Sequence, residues 1–270
     1  MLKYKLGFIG SGAMAEAIMY GVTRSEIYKS NEIIASDINE HRLLQINSEL
    51  EINTTSNNNE VMEKSDIIIL AIKPQHFKNV LGSLEFKPDK GKIIISVAAG
   101  ISTAFLEQFL GEIPVVRVMP NTPALVAAGM TALSKGKFAL DDHLQIAEKI
   151  FKSVGKTVII DEGLIDAVTG LSGSGPAYVY QFIEALADGG VQVGLPRKTS
   201  YMLAAQTVIG AGLMVLKTGL HPGELKDMVT SPGGAAIRAI NVLEKAGFRA
   251  MVMDAVEASY LKSKQLGLDK

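Results

Sequence analysis

A glycine-rich segment near the start of the chain has the spacing of a phosphate-binding turn. Gly10 and Gly12 are followed by Ala15, between an apolar run at 6–9 and an alanine-rich helical run at 13–22. The first glycine allows a tight turn, the second lets a phosphate approach the backbone, and the alanine keeps strand and helix close. Free N–H groups at the helix start favour negative charge. The segment predicts dinucleotide binding, and an ordinary glycine-rich turn is the alternative.

The runs that follow have the pattern of a parallel α/β sheet. Apolar runs at 32–37, 66–72, 92–97 and 115–118 alternate with helical runs, and several are typical of strands buried on both faces. This alternation predicts right-handed crossovers, with ligands bound beyond the carboxyl ends of the strands. The residues expected at that edge are Gly10, Gly12, Asp37, Ala71, Ile72, Lys73, Pro74, and residues 98–100 and 119–122.

Asp37 bears on the choice of cofactor. It ends the second predicted strand, 22 residues after Ala15. An acidic side chain there would bind the ribose 2′-OH and repel a 2′-phosphate, which favours NADH. Arg42 stands close enough in sequence to bind a 2′-phosphate instead, so NADPH stays open, and a solvated aspartate in a turn is the alternative.

Beyond about residue 162 the pattern becomes purely helical. We therefore predict an α/β fold, with an N-terminal Rossmann-type parallel-sheet domain at 1–161 and an all-helical C-terminal dimerisation domain at 162–270. The helices at 177–193 and 198–217 are apolar on nearly all sides, so they must be buried all round. About a hundred residues cannot easily bury two such helices within one chain, which predicts an obligate homodimer rather than a compact monomer domain.

Composition argues against several other functions. The 270 residues carry a net charge of −1, which gives no reason to expect nucleic acid or an anionic membrane as a partner. Cysteine is absent and the four histidines lack metal-ligand spacing, so no metal site is expected. The charge-free run at 199–216 is interrupted by polar residues and glycines, which favours a buried helix of a soluble protein over a membrane span. We expect no cleavable leader and a cytoplasmic location.

Residue types near the start of the second domain distinguish two kinds of hydride transfer. Oxidation of a hydroxyacid usually needs a general base, and residues 173–182 contain neither lysine nor histidine. An imine nitrogen is basic enough to arrive protonated near neutral pH, so its reduction needs mainly alignment of hydride donor and acceptor. The sequence favours imine reduction, with no residue assigned as catalytic acid or base.

Seven motifs span essentially the whole chain: residues 7–15, 71–74, 96–100, 119–123, 171–178, 221–223, and 226–227 with 231–234. They resemble those of the pyrroline-5-carboxylate reductases, and the last four together are specific to that family. The resemblance implies reduction of 1-pyrroline-5-carboxylate, a cyclic imino acid, to L-proline by NADPH or NADH in the last step of proline synthesis. It also implies a homodimer with a shared active site, often assembled further into a ring of dimers.

The resemblance also implies where the ligands bind. It assigns the substrate carboxylate to the loop at 231–234 before the last helical runs, where free N–H groups form an anion site. The residues implied for the substrate are Glu162, Thr169, Ser231, Gly233, Gly234, Ala235 and Ala236. Those implied for the cofactor are Ile9, Gly10, Ser11, Gly12, Ala13, Met14, Asn58, Ile72, Lys73 and Ala99, to which the strand ends add Asp37, Ala71 and Pro74.

One residue departs from the pattern of the family. In the family the loop usually continues Gly-Gly-[Ala/Thr]-Thr, and the resemblance implies a hydrogen bond from the last threonine hydroxyl to the ring nitrogen, but this chain has Ala236 there. A water in its place would cost about 1 to 2 kcal/mol of transition-state stabilisation. Two alternatives stay open: a divergent paralogue that reduces another cyclic imine, and a non-catalytic dinucleotide-binding regulatory protein.

Overall fold

The computed structural model describes residues 3–85 and 91–268. Residues 1–2 and 86–90 of the first predicted domain and residues 269–270 of the second lie outside the described residues. The chain divides into two compact units. The first comprises Met1–Gly173 and Ser259–Lys270, and the second comprises Ser174–Ala258. The domain boundary expected between 161 and 162 stays a prediction.

The first unit is built on one eight-stranded sheet, ordered β3-β2-β1-β4-β5-β6-β7-β8. Neighbouring strands are parallel except β6 and β7, which are antiparallel. The predicted Rossmann-type sheet is therefore confirmed, with one antiparallel pair that the alternation did not indicate. The strands are β1 (Tyr4–Ile9), β2 (Ile33–Ser36), β3 (Asn53–Thr55), β4 (Ser65–Leu70), β5 (Ile93–Ser96), β6 (Val115–Met119), β7 (Gly129–Lys135) and β8 (Gly155–Ile159).

The central strands are buried on both faces because consecutive apolar side chains point to opposite sides of the sheet. Phe8 and Ile69 belong to the core on one side, whereas Ile9 and Ile68 belong to the core on the other. Helices cover both faces. Those of the first unit are α1 (Ala13–Arg24), α2 (Glu40–Leu50), α3 (Asn58–Lys64), α4 (Phe77–Gly82), α5 (Thr103–Leu110), α6 (Asp141–Lys152) and α7 (Ile165–Val168).

The described part of the second unit is entirely helical, as predicted. It is preceded in the chain by a 3₁₀ turn at Glu162–Leu164, by α7, and by a π-helical turn at Thr169–Gly173. The remaining helices are α8 (Gly175–Gln192), α9 (Arg197–Thr218), α10 (Pro222–Met228), α11 (Ala235–Lys245) and α12 (Phe248–Leu268), whose last turns are grouped with the first unit.

Helix α9 is the helix predicted at 198–217, for which a second copy of the chain was the expected covering. Only Ser200 and Ala204 on it are buried within the single chain. By length and composition alone, α9 is also the one helix of the described chain that could cross a membrane. Its apolar side chains therefore need a covering that one chain does not supply.

Candidate active site

Gly10 turns the chain from β1 into α1. Its φ is +93°, and its N–H donates to the carbonyl of Ser36 at 2.8 Å. A Cβ at this position would lie 2.6 Å from the carbonyl oxygen of Ala71, whose N–H binds the carbonyl of Ile9 at 2.8 Å. Because this backbone conformation and this close approach both exclude a side chain, the position requires glycine.

Gly12 leaves the start of α1 open. It is the N-cap residue of α1, and no side chain caps the helix. A Cβ on Gly12 would meet no atom within 4 Å, so the space in front of the helix is free. The first N–H groups of an α-helix have no partner within the helix and attract negative charge. This end of α1, with Ala13 and Met14 in its first turn, fits a phosphate group.

The strand register brings the other predicted cofactor residues to the same edge. Ile9 pairs with both Ser36 and Leu70, and Leu70 pairs with Ser96. The residues that follow these strands therefore leave the sheet side by side. They include Asp37 after β2, Ala71, Ile72, Lys73 and Pro74 after β4, and Ala99 after β5.

Asp37 is held by the glycine turn. Its Oδ2 accepts hydrogen bonds from the N–H and the hydroxyl of Ser11 at 2.8 and 2.9 Å, and its Oδ1 accepts one from the N–H of Asn39 at 3.0 Å. Burial alone would raise the pKa of this carboxyl, but the hydrogen bonds from Ser11 and Asn39 outweigh it and hold the pKa below its ordinary value. The group is therefore a carboxylate at neutral pH.

Arg42 lies against the other side of Ser11. Its Nε donates to the carbonyl of Ser11 at 2.6 Å, its Nη2 lies 2.5 Å from Oε2 of Glu16, and its Nη1 donates to Gln45 at 2.9 Å. The guanidinium of Arg42, which the sequence analysis considered as a ligand of a 2′-phosphate, is thus already bound by protein groups. Glu16 did not stand out in the sequence because its partner is 26 residues away, although an acidic residue in a first helical turn is a signal that could have marked it.

Asn58 is held beside the site by Ser36, a residue that the sequence analysis did not select. The hydroxyl of Ser36 is fully buried and donates to Oδ1 of Asn58 at 2.7 Å. Ile38 was also missed: its side chain follows Asp37 and is 98% exposed, which is unusual for an isoleucine. A lone apolar residue beside a predicted ribose site was the available signal for it.

Two predicted substrate residues lie in the first unit. The carboxylate of Glu162 accepts hydrogen bonds from the N–H and hydroxyl of Thr103 at 2.7 and 2.6 Å, and from Nη1 of Arg117 at 3.2 Å. It therefore caps the start of α5. Thr169 begins the π-helical turn and donates its hydroxyl to the carbonyl of Ile165 at 2.9 Å. Such turns are frequent at functional sites.

The other predicted substrate residues form a loop of the second unit. Gly233 has φ +70°, and the N–H of Gly234 donates to the carbonyl of Ser231 at 3.0 Å. Gly234 is the N-cap of α11, which begins with Ala235 and Ala236 and has no side-chain cap. The open start of an eleven-residue helix suits a carboxylate. This loop and the residues Glu162 and Thr169 are described in separate units.

Together the sheet, the open glycine turn and the carboxylate after β2 define a dinucleotide-dependent oxidoreductase of the Rossmann class. Within residues 3–85 and 91–268 no group of three or more His, Asp or Glu side chains could hold a metal ion. His221 and His143 instead accept hydrogen bonds from backbone N–H groups at the starts of α10 and α6.

Comparison with known proteins identifies the family. Residues 162–266 match the family model described as pyrroline-5-carboxylate reductase dimerisation, and residues 5–100 match the one described as NADP oxidoreductase, coenzyme F420-dependent. The chain is 47% identical to a pyrroline-5-carboxylate reductase of Methanosarcina acetivorans over 99% of both chains. It is 46% identical to that of Arabidopsis thaliana, over 97% of this chain and 95% of the other.

A solved structure agrees with these matches. The Plasmodium falciparum pyrroline carboxylate reductase with NADP bound superposes with a TM-score of 0.87 and 37% identity, covering 99% of both chains. The chain therefore belongs to the pyrroline-5-carboxylate reductase family.

Proposed function

We propose that this protein reduces 1-pyrroline-5-carboxylate to L-proline with NADH or NADPH, as the last step of proline synthesis in the cytoplasm. The observation that carries the proposal is the glycine turn of the family fold, in which Gly10 is packed against Ala71 and Gly12 leaves the helix start open. The reaction adds one hydride to the imine carbon, and the imine nitrogen keeps the proton with which it arrived. When bound, the reduced nicotinamide supplies that hydride.

The residues around the glycine turn bind and orient the cofactor in this proposal. The segment from Ile9 to Met14 holds the pyrophosphate on backbone N–H groups, and Asp37 accepts hydrogen bonds from ribose hydroxyls. The exposed side chain of Ile38 offers an apolar surface for the adenine ring. The turns after β4 and β5 then line the nicotinamide end. They contribute Ala71, Ile72, Lys73, Pro74 and Ala99, with Asn58 held by Ser36.

The start of α11 holds the substrate carboxylate in this proposal. Ser231, Gly233 and Gly234 shape the loop, and the free N–H groups of Ala235 and Ala236 face the anion. Glu162 and Thr169 are assigned to the substrate pocket by resemblance to the family. No side chain is assigned as proton donor, because a protonated imine needs alignment rather than acid catalysis.

A second copy of the chain is the proposed covering of the helical unit. The exposed large apolar side chains on α9 suit an obligate interface, which resembles a domain core cut in half. A homodimer, rather than a lipid bilayer, covers them in this proposal, and the dimers assemble further into a ring. The large apolar residues of α9 that are exposed in the single chain are Tyr201, Met202, Leu203, Ile209, Leu213, Met214, Val215 and Leu216.

The deciding experiment supplies purified protein with 1-pyrroline-5-carboxylate and follows the oxidation of NADH and of NADPH by the absorbance of the reduced nicotinamide. Turnover with either cofactor and formation of L-proline are expected. No turnover at saturating imine with both cofactors would refute the proposal. Nucleotide binding without turnover would instead support a regulatory protein.

Ala236 favours one alternative function, reduction of another cyclic imine. The smaller side chain leaves more room in the proposed pocket at the start of α11, and it lacks the hydroxyl that the family usually has there. A six-membered cyclic imine with a carboxylate is the substrate to compare. A higher kcat/KM for that imine than for 1-pyrroline-5-carboxylate would favour the alternative.

A further inference from the structure

The charges around Ser11 bear on the choice between NADH and NADPH. Ser11 donates to the carboxylate of Asp37 through its N–H and hydroxyl, and its carbonyl accepts from Nε of Arg42. One residue therefore connects the carboxylate expected to contact the ribose with a cation that could bind a 2′-phosphate. Whether Arg42 can bind the 2′-phosphate depends on the other protein groups that already hold its guanidinium.

Glu16 binds the guanidinium from α1. Its Oε2 lies 2.5 Å from Nη2 of Arg42, and the two side chains are only 21% and 19% exposed. Because the pair is largely shielded, salt and water weaken it less than an exposed pair. With Nε on Ser11 and Nη1 on Gln45, each of the three guanidinium nitrogens already donates to a protein oxygen.

We propose that Glu16 determines cofactor specificity: it selects NADH by holding Arg42 and neutralising its charge. The inference rests on the proposed function only for the identity of the nucleotide. With Glu16 in place, the guanidinium charge is paired with a carboxylate, and Asp37 adds a second negative charge on the other side of Ser11, so a 2′-phosphate of charge about −2 meets an unfavourable field. Without the Glu16 charge, Nη2 of Arg42 loses its ionic partner, and the guanidinium charge becomes available for the contact that guanidinium groups make with phosphate.

The test measures nucleotide binding in the absence of imine, by fluorescence titration of the full-length protein with NADH and with NADPH. The parent protein is expected to bind NADH more tightly. Glu16→Gln should lower the Kd for NADPH about fivefold and leave the Kd for NADH within about twofold. Glutamine keeps the size of the side chain, and thermal unfolding of each variant reports whether the fold is retained.

Arg42→Gln supplies the matching arm of a double-mutant cycle. In the Glu16→Gln protein it should abolish the gain in NADPH affinity, because the released guanidinium is what binds the phosphate. In the parent protein it should change NADPH affinity by less than about twofold, because Arg42 is already held.

Glu148→Gln is the matched control, since Glu148 pairs with Lys152 at 3.1 Å on another helix of the same unit. It should leave both affinities unchanged.

Three results would overturn the inference: tighter NADPH binding by the parent protein, an equal effect of Glu16→Gln on both nucleotides, or a gain that persists without Arg42. Each is compatible with turnover of 1-pyrroline-5-carboxylate, so the proposed function would survive it. Conversely, nucleotide selectivity that follows Glu16 in a protein that reduces no imine would support this inference while the proposed function fails.

Discussion

Two hydrogen bonds from Ser11 converge on one oxygen of Asp37, from the backbone N–H at 2.8 Å and from the hydroxyl at 2.9 Å. The carboxylate is therefore fixed by the glycine turn itself. A group that is already oriented loses little conformational freedom when a ligand binds, so this contact prepares the ribose site. It also makes the charge of Asp37 part of the stability of the turn.

Acid should weaken the fold partly through Asp37. Because its pKa is lowered in the folded protein, its contribution to stability is present above the unfolded value of about 3.9 and is lost as pH falls through the folded value. Asp37→Asn should lower the urea midpoint at neutral pH and reduce its decline toward about pH 3. Other carboxylates with lowered pKa values, such as Glu60 and Asp141, titrate in both proteins, so the difference between the two curves isolates Asp37. Parallel curves would contradict the prediction.

Gly12→Val should abolish cofactor binding without unfolding the protein. The added side chain meets no protein atom within 4 Å of its Cβ, but it occupies the space proposed for the pyrophosphate. Calorimetric titration with NADH measures the loss, and gel filtration reports whether assembly is retained. Gly82→Val, where a Cβ also meets nothing within 4 Å, is the control and should bind normally. Unchanged affinity in Gly12→Val would refute the placement of the site.

Gly10→Ala should instead destabilise the fold. Its Cβ would lie 2.6 Å from the Ala71 carbonyl oxygen, and φ is +93°, so strain and a steric clash act together. We expect a loss of about 2 kcal/mol or more in the free energy of unfolding, measured in urea. Gly12→Ala, with φ −65° and open space, should change it by less than about 1 kcal/mol. Equal losses in the two variants would argue against the close packing at Gly10.

Ala236→Thr should raise kcat for 1-pyrroline-5-carboxylate about fivefold if the substrate is the one proposed, because the hydroxyl restores a hydrogen bond worth about 1 kcal/mol. Ala236→Val is the matched control, since valine has the shape of threonine without the hydroxyl. It should give no gain. If threonine lowers kcat for this imine and valine does the same, the pocket is built for a different ring.

Ile209→Glu should disrupt the proposed homodimer. The side chain is 54% exposed on α9 in the single chain, so a charge there is tolerated by the monomer and buried in the dimer. Multi-angle light scattering should show a dimer or larger assembly for the parent protein and a smaller species for the variant. Leu140→Glu places the same charge on an exposed side chain of the sheet unit, 66% exposed, and serves as control. A parent protein that is monomeric at all concentrations would refute the homodimer.

Periodicity located the helices accurately where their ends carry strong signals. The runs predicted at 13–22 and 198–217 agree with α1 and α9 to within two residues at each end, because Gly12 precedes the first and Gly219 follows the second. The polar strand β3 and the strand β7 were not predicted. Asn53–Thr55 has no apolar alternation. Strand β7 follows β6 with no α-helix between them, so the alternation of strands and helices does not indicate it.

The prediction of site residues was limited in the same way as the prediction of helices and strands. The glycine turn and Asp37 follow from spacing along one strand-turn-helix unit, and the strand register brings them together. The roles of Glu16 and Ser36 depend on side chains 26 and 22 residues away, so no local pattern identifies their partners. The apolar composition of α9 predicted that it is buried, and the short length of the helical domain predicted that a second copy of the chain covers it.

The contacts of Arg42 continue beyond the nucleotide edge. Gln45, which accepts from Arg42, donates to Glu49 at 2.9 Å, and Glu49 accepts from the hydroxyl of Tyr20 at 3.0 Å on α1. The chain of hydrogen bonds therefore fastens α1 to α2 through the same guanidinium that faces the turn. An evolving lineage that redirected Arg42 toward a phosphate would loosen this fastening, so a change of nucleotide would need a compensating substitution between the two helices.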